Sequence, residues 1–309
     1  MYEFATGVIN VWEKRLLSGL DQERMLKAPD RASAFLVLFD TDLGEIIAGN
    51  SQKNIEDIFS QDLNALKKKL NSVLDDKELL VSFLFLKFNA FNLKSVFKKV
   101  FLVEEVKNFK PFEFSMGSDN LYVKKLTVEA ERILDSKKES GQVITSQAIE
   151  VAVDRAYFKV RLLMAKKEEA LLGMVKLEID VANLRSLLSK ERQFFLEGGN
   201  LDSLQIEKLS QGKEDNLSNN LKRFLEVLEL AFLLDEDQGH NTGIVLEKKL
   251  DGYIAKKNFQ KEKEKGSGVE KVLAFFQKKM NSYANIRLIL FAKENGLSLE
   301  EIEKSLLPI

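Results

Sequence analysis

Residues that interrupt helices are scarce in this chain: 3 prolines and 16 glycines in 309 residues. A proline inside a helix removes a hydrogen bond and clashes with the preceding turn, at about 3 kcal/mol, and a glycine costs about 1 kcal/mol relative to alanine. A sequence poor in both is free to run in long helices, and its periodicity indicates that it does. In AYFKVRLLMAKKEEALLGMVKLEIDVANLRSLLSKER (156–192) apolar residues recur every three or four positions for about ten turns. LKRFLEVLELAFLL (221–234) and VEKVLAFFQKKMNSYANIRLILFAKE (269–294) follow the same rule. The alternation of a half-buried strand is nearly absent, VITSQ (143–147) being the one faint candidate. The fold class is all-α.

Boundaries fall where helix chemistry places them. Gly198-Gly199 follows the long central helix and Gly296 the last one, and glycine adopts the left-handed conformation that ends a helix at little cost. Beyond them lie the capping signatures Asp202-Ser203-Leu204-Gln205 and Ser298-Leu299-Glu300-Glu301. Further breaks are expected at KPFEFSMGSDN (110–120), SQGKEDNLSNN (210–220), DEDQGHNTG (235–243) and KEKEKGSG (261–268). The last reads as a charged loop with no reason to pack.

An internal repeat organises these pieces. FNLKSVFKKV (91–100), ANLRSLLSKE (182–191) and ANIRLILFAK (284–293) share an Asn, a Leu or Ile, a Lys or Arg, an apolar pair and a Lys. The asparagines are Asn92, Asn183 and Asn285, and the basic residues two places on are Lys94, Arg185 and Arg287. Glu150 and Asp154 precede Asn183 much as Glu247 and Asp251 precede Asn285, and GNLDSLQIEKL (199–209) echoes GLSLEEIEKSL (296–306). A spacing of roughly 100 residues exceeds the roughly 20–50-residue unit of a solenoid. The expectation is three related helical subdomains with pseudo-threefold symmetry, at 1–109, 110–203 and 204–309, the first the most diverged.

Composition excludes several functions. With no cysteine there are no disulfides, thiolate metal sites or thiol nucleophiles. One histidine, His240, rules out a multi-histidine metal site. A net charge of −1, from 47 basic and 48 acidic residues, gives no global pull toward nucleic acid or an anionic membrane. The N-terminal segment lacks the basic flank and apolar run of a signal peptide, and the longest apolar stretch, LLVSFLFLKF (79–88), is shorter than the ~20 residues of a spanning helix. These features point to a cytoplasmic chain that reaches a membrane only through protein contacts.

Candidate chemistry is correspondingly thin. His240 lacks a nucleophile and an oxyanion site, and reads as a solvated loop residue. DEDQGHNTGIVLE (235–247) places Gly239, His240 and Leu246 at positions 5, 6 and 12 of a would-be calcium loop, so that geometry fails. Glu150/Asp154 and Glu247/Asp251 each share a helix face; two such faces suit either a metal pair or ion pairing with a basic helix, but the Glu-x-x-His element of di-iron sites is missing. No glycine-rich phosphate cradle is present. The phenylalanines at 83, 85, 88, 91 and 97, then at 109, 112 and 114, lack the basic surplus that nucleic-acid stacking needs, leaving core packing or a protein-contact surface. The three asparagines allow two compatible readings: hydrogen bonds locking each helix to its neighbour, or helices that present Lys94, Arg185 and Arg287 to a partner.

The segment DRAYFKVRLLMAKKEEALLGMVKLEIDVANLRSLLSKERQFFLEGGNLDSLQIEKL (154–209) resembles the central region of the C-type subunits of the V/A-type ATPases, the counterparts of the d-type subunits of the vacuolar ATPases. The matching elements are Asp154, Tyr157, Phe158, Glu178-Ile179-Asp180, Asn183-Leu184 and Gly198-Gly199. YANIRLILFAKENGLSLEEIEKSLL (283–307) is similar to the family's closing segment, with Asn285, Arg287, Lys293 and Gly296 in place, and INVWEKRLLS (9–18) corresponds more loosely to its opening helix. The resemblance implies a funnel of three helical subdomains without a catalytic site or cofactor. Its implied place is the cytoplasmic face of the proteolipid rotor ring, where the funnel receives the central shaft. The alternatives are a helical enzyme using Glu150, Asp154, Glu247 and Asp251 with Mg²⁺, and a generic helical scaffold.

Overall fold

The computed structural model of the chain describes residues 2–49, 54–74, 77–102, 116–188, 195–201, 225–226 and 242–309. Among them every regular element is a helix. The expectations at His240, the 210–220 and 235–241 breaks, most of 221–234, the Asp202 cap and Phe109, Phe112 and Phe114 fall outside the described residues, as does the Glu247 side chain. The chain divides into two compact units, Met1–Val81 with Asp251–Ile309, and Ser82–Leu250.

The first unit joins the two ends of the chain. It contains α1 (Glu3–Glu13), α2 (Gly19–Lys27), α3 (Arg31–Leu36), a 3-10 turn (Val37–Asp40), α4 (Gly44–Ala48) and α5 (Ile55–Val73). From the C-terminal side come most of α10 (Thr242–Lys265), then α11 (Val269–Asn295) and α12 (Leu299–Glu303). Local chemistry sets the starts. Ser18 Oγ accepts from the Asp21 amide at 3.2 Å while the Asp21 carboxylate accepts from the Ser18 amide at 3.0 Å, a capping box. Asp30 and Asn54 accept from the Ser33 and Asp57 amides at 2.7 and 2.9 Å. α11 is the axis: Val272, Leu273, Phe275, Phe276, Ile286 and Ile289, which surround it, are all buried, and α1, α2 and α3 pack on it.

Buried charge fixes how α11 sits. Lys279, 2% exposed, pairs with both Asp42 and Asp62, and the Tyr283 hydroxyl donates to Asp62 at 2.5 Å. Lys271 and Lys278 both reach Glu13 (2.5 and 3.0 Å) and Glu262 (2.6 and 3.2 Å). Arg287 grips Glu56 with two bonds of 2.5 and 2.6 Å and lies 4.8 Å from the Phe59 ring. Lys293 donates to the carbonyls of Leu26 and Ala28 at 2.6 and 2.7 Å, which places a cation on the C-terminal end of α2. The KEKEKGSG segment corrects the sequence reading: α10 continues through Lys265, and Glu262 is held by two lysines of α11. Only Gly266 and Gly268, at φ +69° and +87°, make the turn.

The second unit holds most of α6 (Lys77–Leu102), with α7 (Leu121–Glu139), α8 (Ser146–Ala165) and α9 (Glu169–Leu188). Asn120 caps α7 by accepting from Tyr122 and Val123, and Thr145 caps α8 by accepting from Ala148, so the faint strand at 143–147 is a helix start. The stretch expected as one ten-turn helix is a hairpin, broken at Lys166–Glu168 with neither glycine nor proline. Folding back lets Val160 and Met164 of α8, and Leu171, Val175 and Ile179 of α9, all be buried. A single straight rod could not bring both sets onto one core. The apolar run at 79–88 also belongs to something longer: α6 is long and apolar enough, by length and composition, to cross a membrane. Half of its apolar window is buried within the chain itself, and its Lys94 and Lys98 are paired with carboxylates of α8.

Replacing Lys279 with Met leaves two carboxylates facing each other without their cation. The expected loss is about 3–5 kcal/mol in urea unfolding at neutral pH. Burial raises the Asp42 carboxyl and Lys279 opposes it, so without the ammonium the Asp42 pKa rises further and the deficit narrows as pH falls and Asp42 takes up a proton. An equal deficit at pH 8 and pH 5 would contradict this account.

Candidate functional site

Three helices use the same device to hold the chain that follows them. Asn183 Nδ2 donates to the Leu196 carbonyl at 2.9 Å, and the Leu196 amide donates to Asn183 Oδ1 at 2.6 Å. On α11, Asn285 makes the same pair of bonds with Leu307, both 2.8 Å. On α6 the pair is made by Asn89 with Met116, at 2.9 and 3.0 Å. A primary amide carries a donor and an acceptor side by side, so it matches one residue's N–H and C=O the way a strand neighbour would. An Asn in a helix otherwise costs stability, and here its polar end replaces two backbone bonds that the following segment cannot make for itself.

The sequence pattern places the first copy at Asn92, one turn beyond Asn89. Asn92 is half-buried on α6, and Asn89, one turn earlier, makes the described pair of bonds to Met116. The signal is present in the sequence: Phe88-Asn89-Ala90 has an aromatic residue before the Asn, but the Leu-Lys that follows Asn92 matches the other two copies better.

Around Asn183 the chain is bound twice. Asp180, fully buried, accepts from the Asn200 amide through both oxygens at 3.1 and 3.0 Å, and from Asn200 Nδ2 at 2.7 Å. The Gly198-Gly199 pair makes this approach possible. Gly198 has φ +93°, and a Cβ on Gly199 would stand 2.1 Å from Asp180 Oδ1. Burial pushes the Asp180 carboxyl upward, against the donors of Asn200.

Facing α9 from α8, Arg161 (3% exposed) pairs with Glu178, and its guanidinium lies 4.1 Å from the Phe83 ring and 5.2 Å from that of Tyr157. Lys87 lies near this pair, and burial pulls its ammonium down to about 8, with Arg161 adding to the effect and Glu178 opposing it. Burial also drives the Tyr157 hydroxyl upward. On the flank, Lys94 meets Asp154 at 2.7 Å and Lys98 meets Glu150.

Of the basic residues singled out by the repeat, Lys94 is tied to Asp154 and Arg287 to Glu56, and Arg185 is half-buried on α9. Glu150 and Asp154 are held by lysines of α6. Asp251 belongs to the other unit. Among the described residues no group of three His, Asp or Glu side chains could hold a metal ion. The arrangement is built for holding: it pins loop backbone to helix side chains. The Asp42–Lys279–Asp62 cluster is not apparent from the sequence, since Lys279 lies more than two hundred residues from its partners and shares no motif with them.

Asn183→Asp keeps the acceptor but turns an oxygen toward the Leu196 carbonyl. It should cost about 2–4 kcal/mol in denaturant unfolding, no less than Asn183→Ala, because Leu196 is buried and water cannot replace the lost donor. Lys87→Met should act in the opposite sense. The folded-state pKa of about 8 lies below the ordinary lysine value, so the penalty for charging is full at pH 7 and vanishes above the unfolded value. The variant should gain about 1–2 kcal/mol at pH 7, with the gap to the parent closing toward pH ~10.4. A gain that is flat with pH would point to packing instead of charge.

No curated protein matches the chain. A family model, described as the ATP synthase (C/AC39) subunit, matches residues 5–305. That span includes the three Asn residues that grip the following chain, Asp180 with its glycine pair, and the charged tethers of α11. The chain is thus a member of the ATP synthase C/AC39 family.

Proposed function

We propose that this chain is the non-catalytic coupling component of a V/A-type rotary ATPase. It sits peripherally on the cytoplasmic face of the membrane rotor and joins the central shaft to the proteolipid ring. The observation that carries this reading is the family match over residues 5–305, nearly the whole chain. Physical features support it. A torque coupler must transmit strain without yielding, and close-packed helices with their loops bonded to helix side chains are stiff. The repeat of one Asn device on α6, α9 and α11 supports three related subdomains, at 1–109, 110–203 and 204–309, in a pseudo-threefold funnel. Lys94, Arg185 and Arg287 are proposed to lie near the shaft- or ring-facing surfaces, two of them presented together with their acidic partners.

Native mass spectrometry of a tagged copy, purified in mild detergent from its own cells, tests the role. Co-purification with a shaft protein and a proteolipid ring is expected, and recovery as a lone species of 35.2 kDa would overturn it. The contact residues are tested separately, by reversing Lys94, Arg185 and Arg287 together with Asp154 and Glu56 so that the internal pairs survive. Unchanged shaft and ring binding would remove those three from the interface.

A further inference from the structure

The outer face of the α7–α8 pair is not the polar surface that an exposed helix pair normally presents. Leu121, Lys124, Lys125 and Val128 follow one another at i, i+3, i+4 and i+7 along α7. Lys159, Leu162, Leu163 and Lys166 repeat that spacing on α8 and its C-cap. The helices are joined by a short connection and run antiparallel, so the two stripes face each other across a groove of about 550 Å³. Its floor is aliphatic and open to solvent: Leu121, Val128 and Leu163 are 47%, 63% and 42% exposed. These helices already bury another face, through Leu126, Ala130 and Leu134 of α7 and Val153 and Ala156 of α8, and Val160, also buried, lines the groove. The groove is thus a second apolar face beyond the one that folding uses.

Among the described residues the unpaired charges around it are positive. Glu129 is the one carboxylate among the described lining residues, and it is occupied by Arg132 at 2.6 Å and Lys159 at 2.8 Å, which hold its carboxyl below the usual range. Lys124 and Lys166 form no ion pair among the described residues, and Lys125 lies 5.7 Å from the Tyr122 ring. An aliphatic floor with unneutralised ammonium groups on both banks complements an apolar ridge flanked by carboxylates.

We propose that this groove docks an amphipathic helix of a protein partner, carrying aliphatic residues at i, i+3/i+4 and i+7 with Asp or Glu on both sides of the stripe. A helix fits because ridges at that spacing seat between two antiparallel helices with the interaxial distances of an ordinary bundle. The lining from Leu121 to Glu129 spans about 12 Å, the length of two helical turns. A small ligand would be left half in water by walls this open, and a bilayer surface would meet protruding side chains better than a concave face. The inference does not depend on the coupling role.

The test uses the full chain and a fluorescein-labelled helical peptide of roughly 14 residues, with a Leu stripe flanked by Glu, in anisotropy titrations. Saturable binding is expected, weakening as ionic strength rises. Lys124→Glu combined with Lys166→Glu should weaken it roughly tenfold and transfer preference to the same stripe flanked by Lys. Val128→Asp should abolish binding of both peptides. Lys124, Val128 and Lys166 are all exposed, so unchanged melting curves are expected for each variant and keep the comparison interpretable. The proposal fails if the parent chain does not bind the acidic peptide, if Glu- and Lys-flanked peptides bind it alike, or if the charge reversal does not switch the preference. It also fails if phosphatidylserine vesicles bind the chain through Lys124 and Lys166 while the acidic peptide does not.

Discussion

A helix buried on most of its sides takes little direction from hydrocarbon alone, because that burial is not directional. α11 is buried at every position from Lys271 to Phe276, and its rotation and register are set by cations at Lys271, Lys278, Lys279, Arg287 and Lys293. Each can reach its carboxylate or carbonyl partners in only one setting of the helix. Lys279 is the central member. Buried between Asp42 and Asp62, it joins the turn before α4, the middle of α5 and α11 at one point. A buried ion pair is a weak source of net stability, since desolvation offsets its attraction, but breaking one is costly. That asymmetry makes the cluster a device for specifying one arrangement of α11 among several that would bury similar area.

The second unit solves a related problem with amides and glycines. Loops that follow long helices carry backbone groups that must be bonded somewhere if they are covered. Asn183 and Asp180 project from α9 to take up the amides at 196 and 200 and the carbonyl at 196, and the glycine pair lets the backbone approach close enough to be taken. Asn89 and Asn285 do the same for Met116 and Leu307. These contacts turn connecting segments into parts of the packed helical body, as suits a protein whose proposed task is to carry force between partners. Its charged residues fit that picture: the buried ones, Asp62, Arg161, Asp180, Lys271 and Lys279, are each matched to a partner. The face that stands apart is the α7–α8 groove, where cations and aliphatic side chains are left on the outside.

Much of this is legible in the residues. Helix class follows from periodicity, and several starts follow from capping chemistry. The asparagines of α9 and α11 announce themselves by being unfavourable where they stand. Local patterns are less informative where two local signals conflict. KEKEK has the composition of a solvated loop, yet its Glu262 is the partner of two lysines in the next helix. The stretch 156–192 has the period of one rod because that period is unbroken across the hairpin. In α6 the repeated Leu-Lys marks Asn92, and the repeat gives no sign of the grip that Asn89 makes on Met116 one turn earlier.

What can be settled within a few turns was already written in the residues: helices in place of strands, no thiol or multi-histidine chemistry, glycines where a left-handed or close-packed backbone is required, and membership in a family recognisable from spaced motifs. Tertiary packing decided which distant charges meet, that the two ends of the chain form one unit, that a continuous pattern folds back at Lys166–Glu168, and that a second apolar face is left open on α7 and α8. The reason is physical. Backbone preference and capping depend on neighbours three or four residues away, whereas the partner of a buried charge and the exposure of an apolar stripe depend on what the rest of the chain has already covered.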